Sequence, residues 1–239
     1  MVARPIAVYR HGMPDRRPTP VQVAGKLTQR ARTRGPGEMI GLGLERLRKA
    51  WSSEERLLFL VHPAGGDDPI DPPDLVFRAA TPEDGSIYAR DIGTDSAATF
   101  RARLSDATRC WLVLHEGKIA HATWTTTATA WTREVGRYFK PPPGDGYIYE
   151  SFTSPAVRGR GIYPLALKHI LARLGAEGIA RMWVGVEADN EPSIRAITKA
   201  GFEVAFEISY RRRFGRLTLG IPEGPLAEAG TTCFPRTAP

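Results

Sequence analysis

Among 239 residues there are two cysteines, Cys110 and Cys233, and their separation matches neither a disulfide framework nor a metal-ligand pair. A reducing, cytoplasmic setting is the simpler expectation, and no metal is expected. No apolar stretch is long enough to span a bilayer, and the first residues lack the apolar core of a secretory signal. No Gly-Lys-Ser/Thr phosphate loop and no GxGxxG fingerprint occur, which excludes the common nucleotide-binding signatures. Acidic excess is also absent: 33 Lys and Arg against 26 Asp and Glu give a formal charge of +7. Such a balance suits an anionic ligand, yet no nucleic-acid-binding motif accompanies it, so nucleic acid is not an expected partner. A composition of 42% hydrophobic and 25% charged residues can build a core without disulfides or metal.

The chain divides by pattern. Residues 1–37 are rich in Arg, Pro and Gly and read as a flexible basic tail. Residues 38–74 read as an N-terminal helix–strand extension and linker. Met39, Ile40, Leu44, Leu47 and Trp51 repeat at helical spacing, Leu57–Val61 suits one strand, and a Gly-, Pro- and Asp-rich stretch follows. This extension packs on the domain or forms a homodimer contact. From 75 to 220 the alternation is regular. Leu75–Ala79 reads as a strand, Thr81-Pro82-Glu83-Asp84 as a capped helix start, and Ser96 to Ala107 as a second helix. Cys110–His115 and Ile119–Thr127 read as a hairpin, and 130–146, with three prolines at 141–143, as a loop. Tyr147–Thr153 is a strand, Tyr163–Glu177 a helix, Arg181–Glu187 a strand and Glu191–Ala200 a helix closed by Gly201. Two final strands occupy Phe202–Tyr210 and Arg216–Leu219, and 221–239 reads as an irregular tail. Hairpins around a strand–helix–strand unit predict an α/β (α+β) domain.

Arg158-Gly159-Arg160-Gly161 lies between a strand and a helix. Free amides of a glycine-rich turn and of a helix start converge on one point, where the helix dipole favours negative charge. Pro164 fits the first helical turn, where a missing N–H costs little. The expected ligand is a phosphate or pyrophosphate. Some thirty residues later, Asp189-Asn190-Glu191-Pro192-Ser193 opens a second helix that ends in Lys199-Ala200-Gly201-Phe202.

These two motifs in this order resemble the GNAT superfamily of acyl-CoA-dependent N-acetyltransferases, over roughly Leu75 to Leu219. The resemblance implies a mixed, mostly antiparallel sheet of about seven strands flanked by helices. It implies acetyl-CoA or another acyl-CoA as co-substrate and an amine-bearing acceptor. On that basis Arg158, Gly159, Arg160, Gly161 and Ile162 hold the CoA pyrophosphate. Phe152, Thr153 and Ser154 offer backbone groups to the pantetheine arm, and Asn190 and Ser193 lie beside it. Tyr163 stands where the family usually has Gly or Ala, and Ile197 where many members carry a thiolate-protonating Tyr. The resemblance makes Glu150 the leading general base, and Tyr163, Tyr210 and Tyr149 the candidate acids. His115 and His121 are further proton carriers to consider. Residues 131–146 carry three basic groups and two acids before the Glu150 strand and suit a loop over an anionic acceptor. The competing expectation is a domain that binds CoA without transfer, because position 197 lacks the Tyr.

Overall fold

A computed structural model describes residues 53–70, 72–213 and 216–234; the basic tail and the helix expected before Trp51 lie outside the described residues. The architecture is an eight-stranded, mostly antiparallel sheet flanked by helices. In chain order its strands are β1 (Ser53–Pro63), β2 (Leu75–Ala79), β3 (Thr108–His115), β4 (Lys118–Thr126), β7 (Gly146–Thr153), β8 (Arg181–Glu187), β9 (Glu203–Arg213) and β10 (Arg216–Leu219). Across the sheet the order is β10-β9-β1-β8-β7-β4-β3-β2. Strands β5 (Ala130–Thr132) and β6 (Arg137–Phe139) form a separate hairpin. The helices are α1 (Gly85–Asp91), α2 (Ala97–Arg103), α3 (Ile162–Ala176), α4 (Glu191–Lys199) and α5 (Ala227–Cys233). Among the described residues no helix is long and apolar enough to cross a membrane.

Local signals place most elements where the sequence predicts them. The Thr81 capping box starts a single turn, Pro82–Asp84, that leads into α1, and the Ser96 hydroxyl accepts the Thr99 N–H at the start of α2. Helix α2 stops at Arg103, short of the expected Ala107, because Ser105 and Thr108 close a bridged turn into β3.

Three expectations are corrected, each through tertiary packing. The segment before the regular domain supplies β1, which lies inside the sheet between β8 and β9; this extra central strand takes the sheet to eight. Residues 130–146 are not all loop: β5 and β6 pair, and buried Ala130, Thr132 and Phe139 cover the sheet. The prolines that suggested a loop fall after this hairpin. The stretch after Ile221 is not irregular throughout. It forms α5, and Cys233 and Phe234 enter the core. Phe59 is the centre of that core, stacked on Phe139 at 4.9 Å and on Phe206 at 4.8 Å, with Phe234 edge-on at 5.4 Å. The hairpin and α5 thus cover one face, with α1 and α2 further along over β3 and β4, while α3 and α4 bury Leu167, Ile170, Ile197 and their neighbours on the other.

Candidate active site

The site begins with two parallel strands that part company. β7 and β8 pair at Gly146↔Met182, Tyr147↔Trp183 and Ile148↔Val184, and there the pairing stops, although the strands run on to Thr153 and Glu187. The paired end is clamped. The buried Asp145 carboxylate accepts from Trp183 Nε1 at 2.7 Å and from Arg181 Nη2 at 2.9 Å. Gly146 permits the close pass, since a Cβ there would lie 2.6 Å from Met182 Sδ. The open end follows from a bulge. On β4 the register jumps between Ala122 and Trp124, so Glu150 and Ser151 together oppose Thr123, and Glu150 takes φ 50°. A non-glycine residue in that region is held there by its surroundings at a cost of about 1–3 kcal/mol. The bulge turns β7 away from β8 and leaves edge backbone exposed on both strands. A cleft of about 470 Å³ fills the opening.

Next to the cleft lies the turn after β7 that the sequence marks as an anion site. Gly159 at φ 81° and Gly161 at φ 74° carry the chain into α3, and a Cβ at either would meet nothing within 4 Å. The first backbone bond of α3 runs from Leu165 N–H to Gly161 C=O. The amides of Gly159 to Tyr163 therefore precede the helical ladder, and among the described residues they donate to no carbonyl elsewhere in the backbone. Arg158 Nε donates to the Thr153 carbonyl at 3.3 Å. Arg160, half-exposed, is paired with Asp74 and lies 3.2 Å from His115 Nε2. The Arg160 guanidinium holds the Asp74 carboxyl below the usual carboxylate range. This turn offers glycine-lined open space, amides outside the helical ladder and two arginines; none of Arg158–Ile162 is among the residues lining the cleft, which begins at Tyr163.

Phe152 lines the cleft, as do Asn190 and Ser193 across it. The Asn190 side chain caps α4, accepting from Ser193 N–H at 3.4 Å. Thr153 turns its hydroxyl to His121 Nδ1 at 2.8 Å. Ser154 has both backbone groups engaged: its N–H donates to Ala120 C=O and its C=O accepts from Val157 N–H, so its backbone is not open to an incoming amide. Ile197 is buried and lines the cleft on α4.

The wall of the cleft around Glu150 is built from side chains. Glu150 accepts from Arg103 Nη1 at 2.8 Å, and the same nitrogen bonds the buried Asp95 carboxylate. The Arg103 guanidinium lies 3.9 Å over the Trp124 ring, and Trp124 Nε1 donates to the Tyr88 hydroxyl at 3.0 Å. Glu150 is thus fixed by α2 and β4 as well as by its own strand. Tyr163 lines the cleft from the first turn of α3, and burial pushes its hydroxyl up to about 12. Tyr210 is not among the cleft-lining residues. Its hydroxyl donates to Glu55 at 2.6 Å and to Glu187 at 3.4 Å, and burial and the Glu55 bond push it far above an ordinary phenol. The Cys110 thiol is also pushed far up by burial, which leaves no thiolate for nucleophilic work. Four carboxylates line the cleft (Asp95, Glu134, Glu150, Glu187) against two guanidiniums (Arg103, Arg133), so the loop's positive charge does not set the cleft's sign.

Sequence reasoning missed Asp95, Arg103 and Glu187. Asp95 stands just before a helix cap and Arg103 ends that helix, positions where charged residues are ordinary. Glu187 had one usable signal, its place at the end of the strand leading to the second motif. Among the described residues no group of three or more His, Cys, Asp or Glu could hold a metal ion.

A model of the acetyltransferase (GNAT) family matches residues 77–202, more than half of the chain. The chain belongs to the GNAT acetyltransferase family. The matched span of this GNAT chain contains both the Arg158–Ile162 turn and the Asp189–Phe202 motif, whereas β1, β9, β10 and α5 lie outside it. A GCN5-related N-acetyltransferase from Sphaerobacter thermophilus shares the fold at 14% identity and TM-score 0.50, over 73% of this chain and 57% of that one. A GNAT-family acetyltransferase from Novosphingobium aromaticivorans matches at 20% identity and TM-score 0.47, over 70% and 64%. The ribosomal-protein-S18-alanine N-acetyltransferase from Escherichia coli matches at 16% identity and TM-score 0.43, over 54% and 77%. The chain thus spans less than two thirds of the first two structures. No curated protein gives a significant match.

Proposed function

We propose that this chain transfers an acetyl group from acetyl-CoA to a primary amine by direct attack within a ternary complex. One observation carries the reading: the β7–β8 pairing ends at Ile148, and the cleft that opens there reaches from Tyr163, directly after the Arg158–Ile162 turn, to the Glu150 carboxylate. The turn takes the pyrophosphate through its amides and arginines. The unpaired edges of β7 beyond Ile148 and of β8 beyond Val184 take the pantetheine arm, with Asn190 and Ser193 beside it. These contacts hold the thioester in line with the amine, which is the main source of rate in such a transfer.

At the reacting centre the amine nitrogen bonds to the thioester carbon and the carbon–sulfur bond breaks. The ammonium gives up two protons, and one is needed by the departing thiolate. Glu150, fixed by Arg103, removes a proton on the acceptor side and passes it to solvent. Tyr163 gives a proton to the thiolate; its high pKa keeps it protonated at neutral pH. Tyr210 lies outside the cleft, its proton given chiefly to Glu55, and takes no step in this reading. The test is thiol release from acetyl-CoA across a panel of primary amines. Release with at least one amine is expected. Tight CoA binding with no release on any acceptor would instead assign the chain a CoA-binding role without transfer.

A further inference from the structure

The connection from β1 to β2 is tied to the Arg158–Ile162 turn by its last residue. Asp74 directly precedes β2 and follows Pro72 and Pro73, and the Leu75 N–H donates to the Pro72 carbonyl at 2.9 Å. Leu75 pairs with His115 in the sheet, so Asp74 is set beside the end of β3. There its Oδ2 accepts from Arg160 Nη2 at 2.5 Å and lies 3.1 Å from His115 Nε2. Arg160 Nη1 is 3.2 Å from the same His115 nitrogen. Side chains from the connection, from β3 and from the turn thus meet at one place.

The two arginines of the turn therefore differ. Arg158 gives its Nε to the Thr153 carbonyl, a neutral acceptor. Arg160 gives its guanidinium to a carboxylate. That carboxylate is ionised at neutral pH, since Arg160 holds it below the usual range. The two partners also differ in freedom. Asp74 is set by a pair of prolines and by the start of a strand. Arg160 is a long side chain, 43% exposed, between Gly159 and Gly161, and a Cβ at either glycine would meet nothing. An ion pair this exposed is weak, whereas a guanidinium can bind a phosphate through two parallel hydrogen bonds. A phosphate arriving at the turn competes with Asp74 for Arg160, and Arg160 is the partner able to move.

We propose that Asp74 sets the affinity of this chain for its acyl donor, by holding Arg160 in the free protein and yielding it to a phosphate of the incoming CoA. This rests on the Arg158–Ile162 turn taking the pyrophosphate. On binding, Arg160 exchanges a carboxylate oxygen for a phosphate oxygen, and Asp74 keeps His115 Nε2 as its neighbour. Opening the Asp74–Arg160 pair is a cost subtracted from CoA binding, and re-forming it favours release of the CoA product. Removing the Asp74 charge therefore tightens CoA. A residue that only positioned Arg160 for the phosphate would act with the opposite sign, since its removal would loosen CoA.

The test is calorimetry of CoA binding to the full chain at low salt, where exposed charges are least screened. Asp74→Asn is expected to bind CoA about two- to fivefold more tightly than wild type, the factor that an exposed ion pair is worth. Asp74→Ser should repeat the gain, which keeps the test open if the first variant does not fold. Most of the gain should disappear in an Arg160→Gln background and persist in an Arg158→Gln background, because the coupling belongs to one arginine. Unchanged or weaker binding by both Asp74 variants overturns the exchange alone, provided that Gly161→Glu loses CoA. An equal gain with Arg160→Gln does the same, since it would reduce the effect to plain charge repulsion. A wild-type chain that does not bind CoA, or a Gly161→Glu chain that binds it as well as wild type, overturns the placement of the acyl donor and this inference with it.

Discussion

On the side proposed for the donor, the candidate groups are the backbone amides of one short turn, Arg158–Ile162, at the start of α3 and next to the cleft-lining Tyr163. On the acceptor side they are side chains from separate segments: Asp95 before α2, Arg103 at its end, Glu134 in the hairpin, Glu150 on the bulge and Glu187 ending β8. The donor side depends on conformation, and two glycines with φ near 80° and 74° secure it. The acceptor side depends on ion pairing, and Arg103 is its keystone, joined to both Asp95 and Glu150. One side should therefore fail through backbone and bulk, the other through charge.

Ranked from the largest effect, the first way to break this contrast is Gly161→Glu. It places bulk and negative charge beside the turn's amides, in space that is now open. CoA binding measured by calorimetry should be lost, and unchanged affinity would remove the turn from the site. Next is Arg103→Met, which strands the buried Asp95 carboxylate; removing one partner of such a pair costs about 3–5 kcal/mol. Chemical denaturation should register that loss, while an unaltered midpoint would mean that the pair holds nothing in place. Glu150→Gln comes third. A rate loss of about 100-fold with CoA affinity retained is expected of a general base. An unchanged pH–rate profile would remove Glu150 from that role.

The fourth prediction concerns pH. Unfolded, His121 takes up a proton near 6.5; folded, it does so only at about 3. Between those values the unfolded state binds more protons, so stability falls as pH drops, by up to about 1.4 kcal/mol per pH unit. Denaturation of wild type and His121→Gln should give a shallower acid slope for the variant; parallel slopes would show that the imidazole titrates alike in both states. The smallest effect is that of Tyr210→Phe, which deletes the bond to Glu55. About 0.5–1.5 kcal/mol of stability should go, with CoA binding intact.

The same contrast explains what could be read in the sequence. Conformation written in adjacent residues is legible: the Arg158–Gly161 turn, the Thr81 and Ser96 caps and the Asn190 cap all stand where their local chemistry puts them. Pairings made across the chain are not. Nothing around Arg103 announces a carboxylate 47 residues away, because the bond exists only once α2 packs beside the bulge. Phe234 looked like part of a tail, and the core it enters is assembled from β1, β6 and β9. Ile197 fitted one expectation and unsettled another: it marks the second motif's helix, yet it lines the cleft without a proton to give. Tyr163, at an unusual place for its bulk, lines the cleft from the first turn of α3 and stacks on His121.

The central claim is that the unpaired halves of β7 and β8 receive the thioester between the donor turn and Glu150. A structure of the chain with CoA bound tests it most directly. The pyrophosphate should lie within hydrogen-bond reach of the amides from Gly159 to Tyr163, with the thiol in the cleft near Tyr163 and Glu150. CoA seated on another surface, or a pyrophosphate away from that turn, would contradict the account.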